Sequence, residues 1–117
     1  MLDLNELCGM RGKNAVITGA ASGLGAGIAR FFAAAGVKVL LLDINEKGGE
    51  EVAAEIRAGG GEAAFMRCNV TSQADCAAAA EAAFRRWGGI DCLVNCAGAT
   101  RRRSYPSTAS IRAHFAM

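Results

Sequence analysis

The stretch Asn14-Ala15-Val16-Ile17-Thr18-Gly19-Ala20-Ala21-Ser22-Gly23-Leu24-Gly25 decides how the chain is read. Its first five residues form a short apolar run closed by Gly19. Leu24, Ile28, Phe31, Phe32 and Ala35 then recur at helical spacing until Gly36. The pattern is a strand, a glycine loop and a helix. Glycines at such a junction let the backbone turn tightly and approach a pyrophosphate, while the first amides of the helix point at its oxygens. Gly19, Ser22, Gly23, Leu24 and Gly25 are therefore candidate cofactor-binding residues. The loop holds no Lys followed by Ser or Thr, which argues against a nucleoside triphosphate.

In a chain with fifteen glycines the loop could be no more than a turn, and the next element bears on that choice. Residues 38–43 are apolar without polar alternation, as expected of a parallel strand covered on both faces. Asp43 ends that run, eighteen residues after Gly25. A carboxylate there can accept hydrogen bonds from an adenosine ribose, or it can cap the helix that follows. It also repels a 2′-phosphate, and Ala21, Ser22 and Ile44 offer no compensating cation, so NAD is expected over NADP. An S-adenosylmethionine site is the alternative, because methyltransferases also place an acid after their second strand.

The rest of the chain repeats the alternation. Residues 45–58 read as a helix weakened by Gly48 and Gly49 and ended by Gly59-Gly60-Gly61, and residues 63–70 read as a third strand. Ser72 and Asp75 resemble a capping pair ahead of a stripe of Cys76, Ala80, Ala83, Phe84 and Trp87 that stops at Gly88-Gly89. Residues 90–95 form a fourth strand, closed by Ala97-Gly98. Four strands joined by helix-length crossovers predict a three-layer α/β Rossmann-like domain with a parallel sheet in the order 3-2-1-4. At 117 residues and 52% hydrophobic, residues 1–117 make one such domain with no room for a second.

At this point the sequence resembles the short-chain dehydrogenase/reductase family, whose Thr-Gly-x-x-x-Gly-x-Gly loop is matched in full by Thr18 to Gly25. Cys68-Asn69-Val70-Thr71 looks like the family's Asp-Val segment, whose acidic side chain and following backbone contact adenine. Asn69 stands where the family has Asp, and its amide oxygen is expected to accept from the adenine amino group. Asn95-Cys96-Ala97-Gly98 resembles the Asn-Asn-Ala-Gly segment, with Cys96 at the second Asn. There Asn95 would tie neighbouring strands together, while Ala97 and Gly98 let backbone approach the cofactor. The resemblance spans residues 13–98 and implies an oxidoreductase that moves a hydride between nicotinamide and a carbonyl or secondary alcohol.

The same resemblance shows what is missing. The family's chemistry uses a Ser, a Tyr, and a Lys four residues after the Tyr. Tyr105 is the sole tyrosine and Ala109 lies four residues on, so no catalytic residue is assigned. A tyrosine with no nearby cation stays near a pKa of ~10 and is a poor base at neutral pH. The chain reads as the N-terminal half of a longer pattern, truncated at the C-terminus, and by itself it is expected to show no appreciable catalysis. The fourth strand would be an open apolar edge able to receive further strands, a partner or another copy. A non-catalytic dinucleotide-binding or interaction module is the competing reading.

Charge and cysteines narrow the remaining classes. A net charge of +2 is too weak for a nucleic-acid or membrane footprint, and Arg101 to Arg103 read as a solvated loop. Acidic Asp3 and Glu6 stand where a signal peptide would be basic, so a cytoplasmic protein is expected. Five cysteines without Cys-x-x-Cys spacing, and His114 as the single histidine, favour reduced thiols over zinc or disulfides. Cys92 and Cys96 share a strand face, yet they lie more than ~12 Å apart along it, too far to bridge.

Overall fold

The computed structural model describes residues 9–97. Strand β1 (Asn14–Thr18) leads through the glycine loop into helix α1 (Gly23–Ala34), followed by β2 (Lys38–Asp43), α2 (Glu46–Ala58), β3 (Ala63–Arg67), α3 (Gln73–Trp87) and β4 (Cys92–Asn95). All three strand pairings are parallel and the order is β3-β2-β1-β4. The two central strands explain the unbroken apolar runs. In β1 and β2, Ala15, Ile17, Val39 and Leu41 face one side, whereas Val16, Leu40 and Leu42 face the other.

Each face receives its own helices. Ala26 and Ala29 of α1, with Val52, Ala53 and Ile56 of α2, cover the first face. The second is covered by α3 through Cys76, Ala79, Ala80 and Ala83, small side chains that let the helix lie close to the sheet. Not all of the apolar spacing in α1 turns inward: Leu24 is 71% exposed and Phe31 56%, while Phe32 and Ile28 pack against the core. Gly49 looks like a weakness in α2, but it has a packing reason. A Cβ there would lie 1.9 Å from Cε1 of Phe65, so glycine lets the helix close over that ring.

The boundaries differ from the sequence reading at three places. Helix α2 begins at Glu46 rather than at residue 45, because Asn45 is its N-cap and accepts from Gly48 N–H at 3.0 Å. β3 stops at Arg67 instead of running to residue 70. Cys68 N–H still bonds the Asp43 carbonyl at 3.1 Å, but Asn69 then folds back on Thr71 and leaves the ladder. β4 starts at Cys92 instead of residue 90, after Asp91 and Asn14 exchange backbone and side-chain bonds that set its register. The expected Ser72 cap of α3 is present, with Asp75 N–H donating to Ser72 Oγ at 3.2 Å. No helix among the described residues is long and apolar enough to cross a membrane.

Candidate dinucleotide site

The C-terminal ends of β1, β2, β3 and β4 lie along one edge of the sheet, where open α/β sheets form their ligand crevice. At its centre, the glycines of the loop serve three different needs. Gly19 has φ +66°, and a Cβ on it would sit 2.8 Å from the Ala97 nitrogen, so the loop and the chain leaving β4 touch backbone to backbone. Gly25 is closed in as well: a Cβ there would lie 2.1 Å from the Gly19 carbonyl oxygen, which presses α1 onto its own loop. Gly23 is the opposite case. Its φ is +58° and nothing lies within 4 Å of its Cβ direction, leaving open space at the first residue of α1.

The helix end behind that space is bare. Ser22 occupies the N-cap of α1 without a side-chain cap bond, and the first turn carries no acid. By contrast, α2 and α3 are capped by Asn45 and Ser72 and carry Glu46 and Asp75 in their first turns. The first amides of α1 are thus left to an anion, which the partial positive charge of the helix end also favours. A phosphate group fits this cradle.

Asp43 stands beside the loop at the end of β2. Its Oδ2 accepts from Ala21 N–H and its Oδ1 from Asn45 N–H, both at 2.9 Å. The carboxylate therefore braces the glycine loop and the start of α2, although the cap itself is Asn45. Each carboxylate oxygen keeps a second lone-pair site for a ligand hydroxyl. Next to Asp43 lies exposed Ile44, an apolar surface at the crevice.

Asn69 and Val70 follow β3, joined to Asp43 through the Cys68 bond. The Asn69 oxygen is engaged within the turn itself. Oδ1 accepts from Thr71 N–H at 3.0 Å and Thr71 Oγ1–H at 2.7 Å, so both of its lone pairs are used. Asp75 Oδ2 accepts from Asn69 N–H at 2.9 Å and lies 3.7 Å from the Arg67 guanidinium, holding the turn in place. Val70 packs against the second core face, and its carbonyl faces the Cys76 thiol at 3.6 Å.

On the other side, Thr18 is the organiser, a residue that the sequence reading did not count among the candidates. Fully buried at 0% exposure, its hydroxyl donates to Asn95 Oδ1 at 2.8 Å and accepts from Cys96 and Ala97 N–H at 3.0 and 3.1 Å. One hydroxyl thereby satisfies its donor and both acceptor positions. Asn95 does join the two strands, and Ala97 backs onto Gly19. The available signal was a polar residue closing an otherwise apolar strand. Gly98, Tyr105, Arg101 to Arg103 and His114 lie outside the described residues.

The second core face also contains a thiol pair invisible in the spacing. Burial, then the adjacent Cys76, push the Cys68 thiol up to about 12, and burial likewise raises Cys76. Both stay protonated at neutral pH and act as packing groups beneath the Asn69 turn. Cys92 is exposed on the edge strand.

A parallel Rossmann sheet with a bare helix end behind a glycine loop and an acid at the next strand defines a dinucleotide-fold protein. The chain belongs to the short-chain dehydrogenase family, whose profile matches residues 13–113. It is 49% identical over 89 residues to a 2,5-dichloro-2,5-cyclohexadiene-1,4-diol dehydrogenase of Sphingobium indicum, covering 76% of this chain and 36% of that protein. Identity is 45% over 87 residues to L-fucose dehydrogenase of Oryctolagus cuniculus (74% and 29% covered) and to 7alpha-hydroxysteroid dehydrogenase of Escherichia coli (74% and 34% covered). A crystal structure of a hydroxysteroid dehydrogenase from Escherichia coli superposes with TM-score 0.83 at 33% identity, covering 92% of this chain and 52% of that one. The chain thus spans about a third of the length of these curated relatives. Members of this family bind a nicotinamide dinucleotide.

Proposed function

We propose that the chain is the NAD(H)-holding part of a dehydrogenase that acts on a secondary alcohol or carbonyl. The observation that carries this reading is the uncapped N-terminus of α1 opening at Gly23, with Asp43 bonded to the same loop through Ala21. The first amides of α1, with Ser22 and Leu24, would take the pyrophosphate, and Asp43 the adenosine ribose. Asn69 and Val70 would meet the base, and Thr18, through Asn95 and Ala97, would hold the wall beside the nicotinamide half. When bound, the nicotinamide ring accepts or returns the hydride.

The preference for NAD rests on Asp43, whose charge would meet a 2′-phosphate with no cation at Ala21, Ser22 or Ile44. The names of the relatives, which denote dehydrogenases of a diol, a sugar and a hydroxysteroid, support the alcohol class. Turnover needs a proton donor and acceptor at the substrate oxygen. With Ala109 four residues after Tyr105, the 117 residues carry no Tyr-x-x-x-Lys pair for that task. The chain alone is therefore expected to bind cofactor without oxidising an alcohol.

A second reading, an interaction module, draws on β4, which is paired only on its β1 side among the described residues. Calorimetric titration of the 117-residue chain with NAD, NADP and S-adenosylmethionine, repeated on Asp43→Ala, separates the readings. NAD binding that weakens on losing Asp43 is the expected result. A folded chain that binds S-adenosylmethionine instead, or binds none of the three, refutes the cofactor assignment.

A further inference from the structure

The segment that leaves β3 folds straight back into α3, and it carries a cysteine on either side of the reversal. Cys68 and Cys76 are 1% and 0% exposed and pack on the same core face, with Val16, Leu40, Leu42 and the alanines of α3. Their chain neighbours are tied together, because Asn69 N–H donates to Asp75 Oδ2 at 2.9 Å. Ser72, the cap of α3, donates its own N–H to the Asn69 carbonyl at 2.9 Å and completes the reversal. The two thiols meet inside it. They are hydrogen-bonded to each other, and Cys76 donates in turn to the Val70 carbonyl at 3.6 Å.

The cofactor reading makes no use of this pair. A bond between the sulfurs would remove two hydrogens and add no atom, so the packed face can take it without making room. An alkyl group or a sulfinic acid would need space that close packing does not leave.

We infer that Cys68 and Cys76 form a disulfide when the folded chain meets hydrogen peroxide, a thiol-reversible bolt between the end of β3 and the start of α3. The Cys76 sulfur attacks one peroxide oxygen, the O–O bond breaks, and the other oxygen leaves as water with the thiol proton. Cys68 sulfur then attacks the resulting sulfenic acid, the S–S bond forms, the S–O bond breaks and a second water departs. Two thiols and one peroxide become a disulfide and two waters, the sulfurs oxidised and the peroxide oxygens reduced. Burial keeps both thiols protonated, but at Cys76 the hydrogen bond from Cys68 opposes it, which makes Cys76 the first to react. The same burial makes the reaction slow, so the pair stays reduced until peroxide accumulates. None of this depends on the cofactor assignment.

The folded 117-residue chain is treated with hydrogen peroxide at neutral pH, freed of it with catalase, unfolded, alkylated and digested with trypsin. Both cysteines lie in one peptide, residues 68–85, which follows Arg67 and ends at Arg85. It is expected to lose two hydrogens and take up no alkyl group, and to take up two after reduction with dithiothreitol. Closing this short loop restricts the unfolded chain, so the urea midpoint of the oxidised protein is expected to rise by about 1 M. Cys76→Ala, which matches the alanines around it, should leave Cys68 open to alkylation and its midpoint unmoved by peroxide. If that variant does not fold, Cys68→Ala serves in the same way with Cys76 as the free thiol. A wild-type peptide that still takes two alkyl groups, one that gains oxygen instead of the crosslink, or a link from either residue to Cys92 or Cys96 overturns the inference. So does a midpoint that falls or stays in place, because the sulfurs would then join only by distorting the fold.

Discussion

Gly25 and Gly27 lie two residues apart in α1, and alanine is expected to act on them with opposite sign. At Gly25 the new Cβ would lie 2.1 Å from the Gly19 carbonyl oxygen and 2.7 Å from its carbon. Ordinary contact needs more than 3 Å, so helix and loop must part by about an ångström. The obstacle is backbone, which cannot rotate away. Overpacking costs ~1–3 kcal/mol and belongs at the upper end here, while helix propensity returns ~1 kcal/mol, leaving a loss of about 2 kcal/mol. At Gly27 nothing lies within 4 Å of the added carbon and the residue is exposed, so the ~1 kcal/mol of propensity stands alone as a gain. The two variants should therefore differ by about 3 kcal/mol. With a urea slope of ~1–3 kcal/mol/M, their midpoints are separated by at least about 1 M. Urea unfolding followed by circular dichroism measures this directly. Midpoints within about 0.2 M of each other, on slopes of that size, would refute the claim that Gly25 is required by the approach of α1 to its loop. NAD titration adds a second readout, because displacing α1 moves its amides from the phosphate cradle and should weaken binding in Gly25→Ala only.

Other consequences are testable on the same chain. Thr18→Val removes three hydrogen bonds and leaves Asn95 Oδ1 and Ala97 N–H without their partner, so a stability loss of ~2–4 kcal/mol is expected in urea unfolding, with weaker NAD binding. A loss below about 1 kcal/mol would show that water replaces the hydroxyl. Alkylation at neutral pH should mark exposed Cys92 while Cys68 and Cys76 stay silent until the chain unfolds, as peptide mapping can establish. The Cys68 thiol is held above its ordinary 9.0, so the unfolded chain loses that proton first as pH rises. Stability should accordingly be intact below pH 9 and fall toward pH 12, by up to about 1.4 kcal/mol per pH unit for that thiol. A Cys68→Ala variant with an unchanged alkaline slope would assign the loss to other groups.

What the sequence made legible is what local chemistry determines. A strand, three glycines and the start of a helix within twelve residues, followed by an acid at the end of the next apolar run, carry the fold class and the strand order because each element announces itself through its own pattern. The strand ends were less legible, since Cys68 remains apolar and only the bonds between Asn69 and Thr71 show where β3 gives way to a turn. Apolar spacing in α1 likewise does not reveal that Leu24 and Phe31 face outward, which depends on where the sheet lies. Contacts between distant residues were beyond reach. Thr18 meets Asn95 across 77 positions, and Cys68 meets Cys76 because a turn brings strand and helix together.

Asn69 shows the same difference at a single side chain. Read alone, an amide is both donor and acceptor, and a carbonyl oxygen in place of a carboxylate looks like a weaker version of the same contact. Thr71, two residues on, removes that ambiguity by consuming the oxygen twice, and the site that remains has the opposite hydrogen-bond sign. A one-atom change from carboxylate to amide then leaves the turn itself intact while changing what the side chain has left to offer. The chemistry offered to a ligand at this position is set by what the neighbouring backbone has already used.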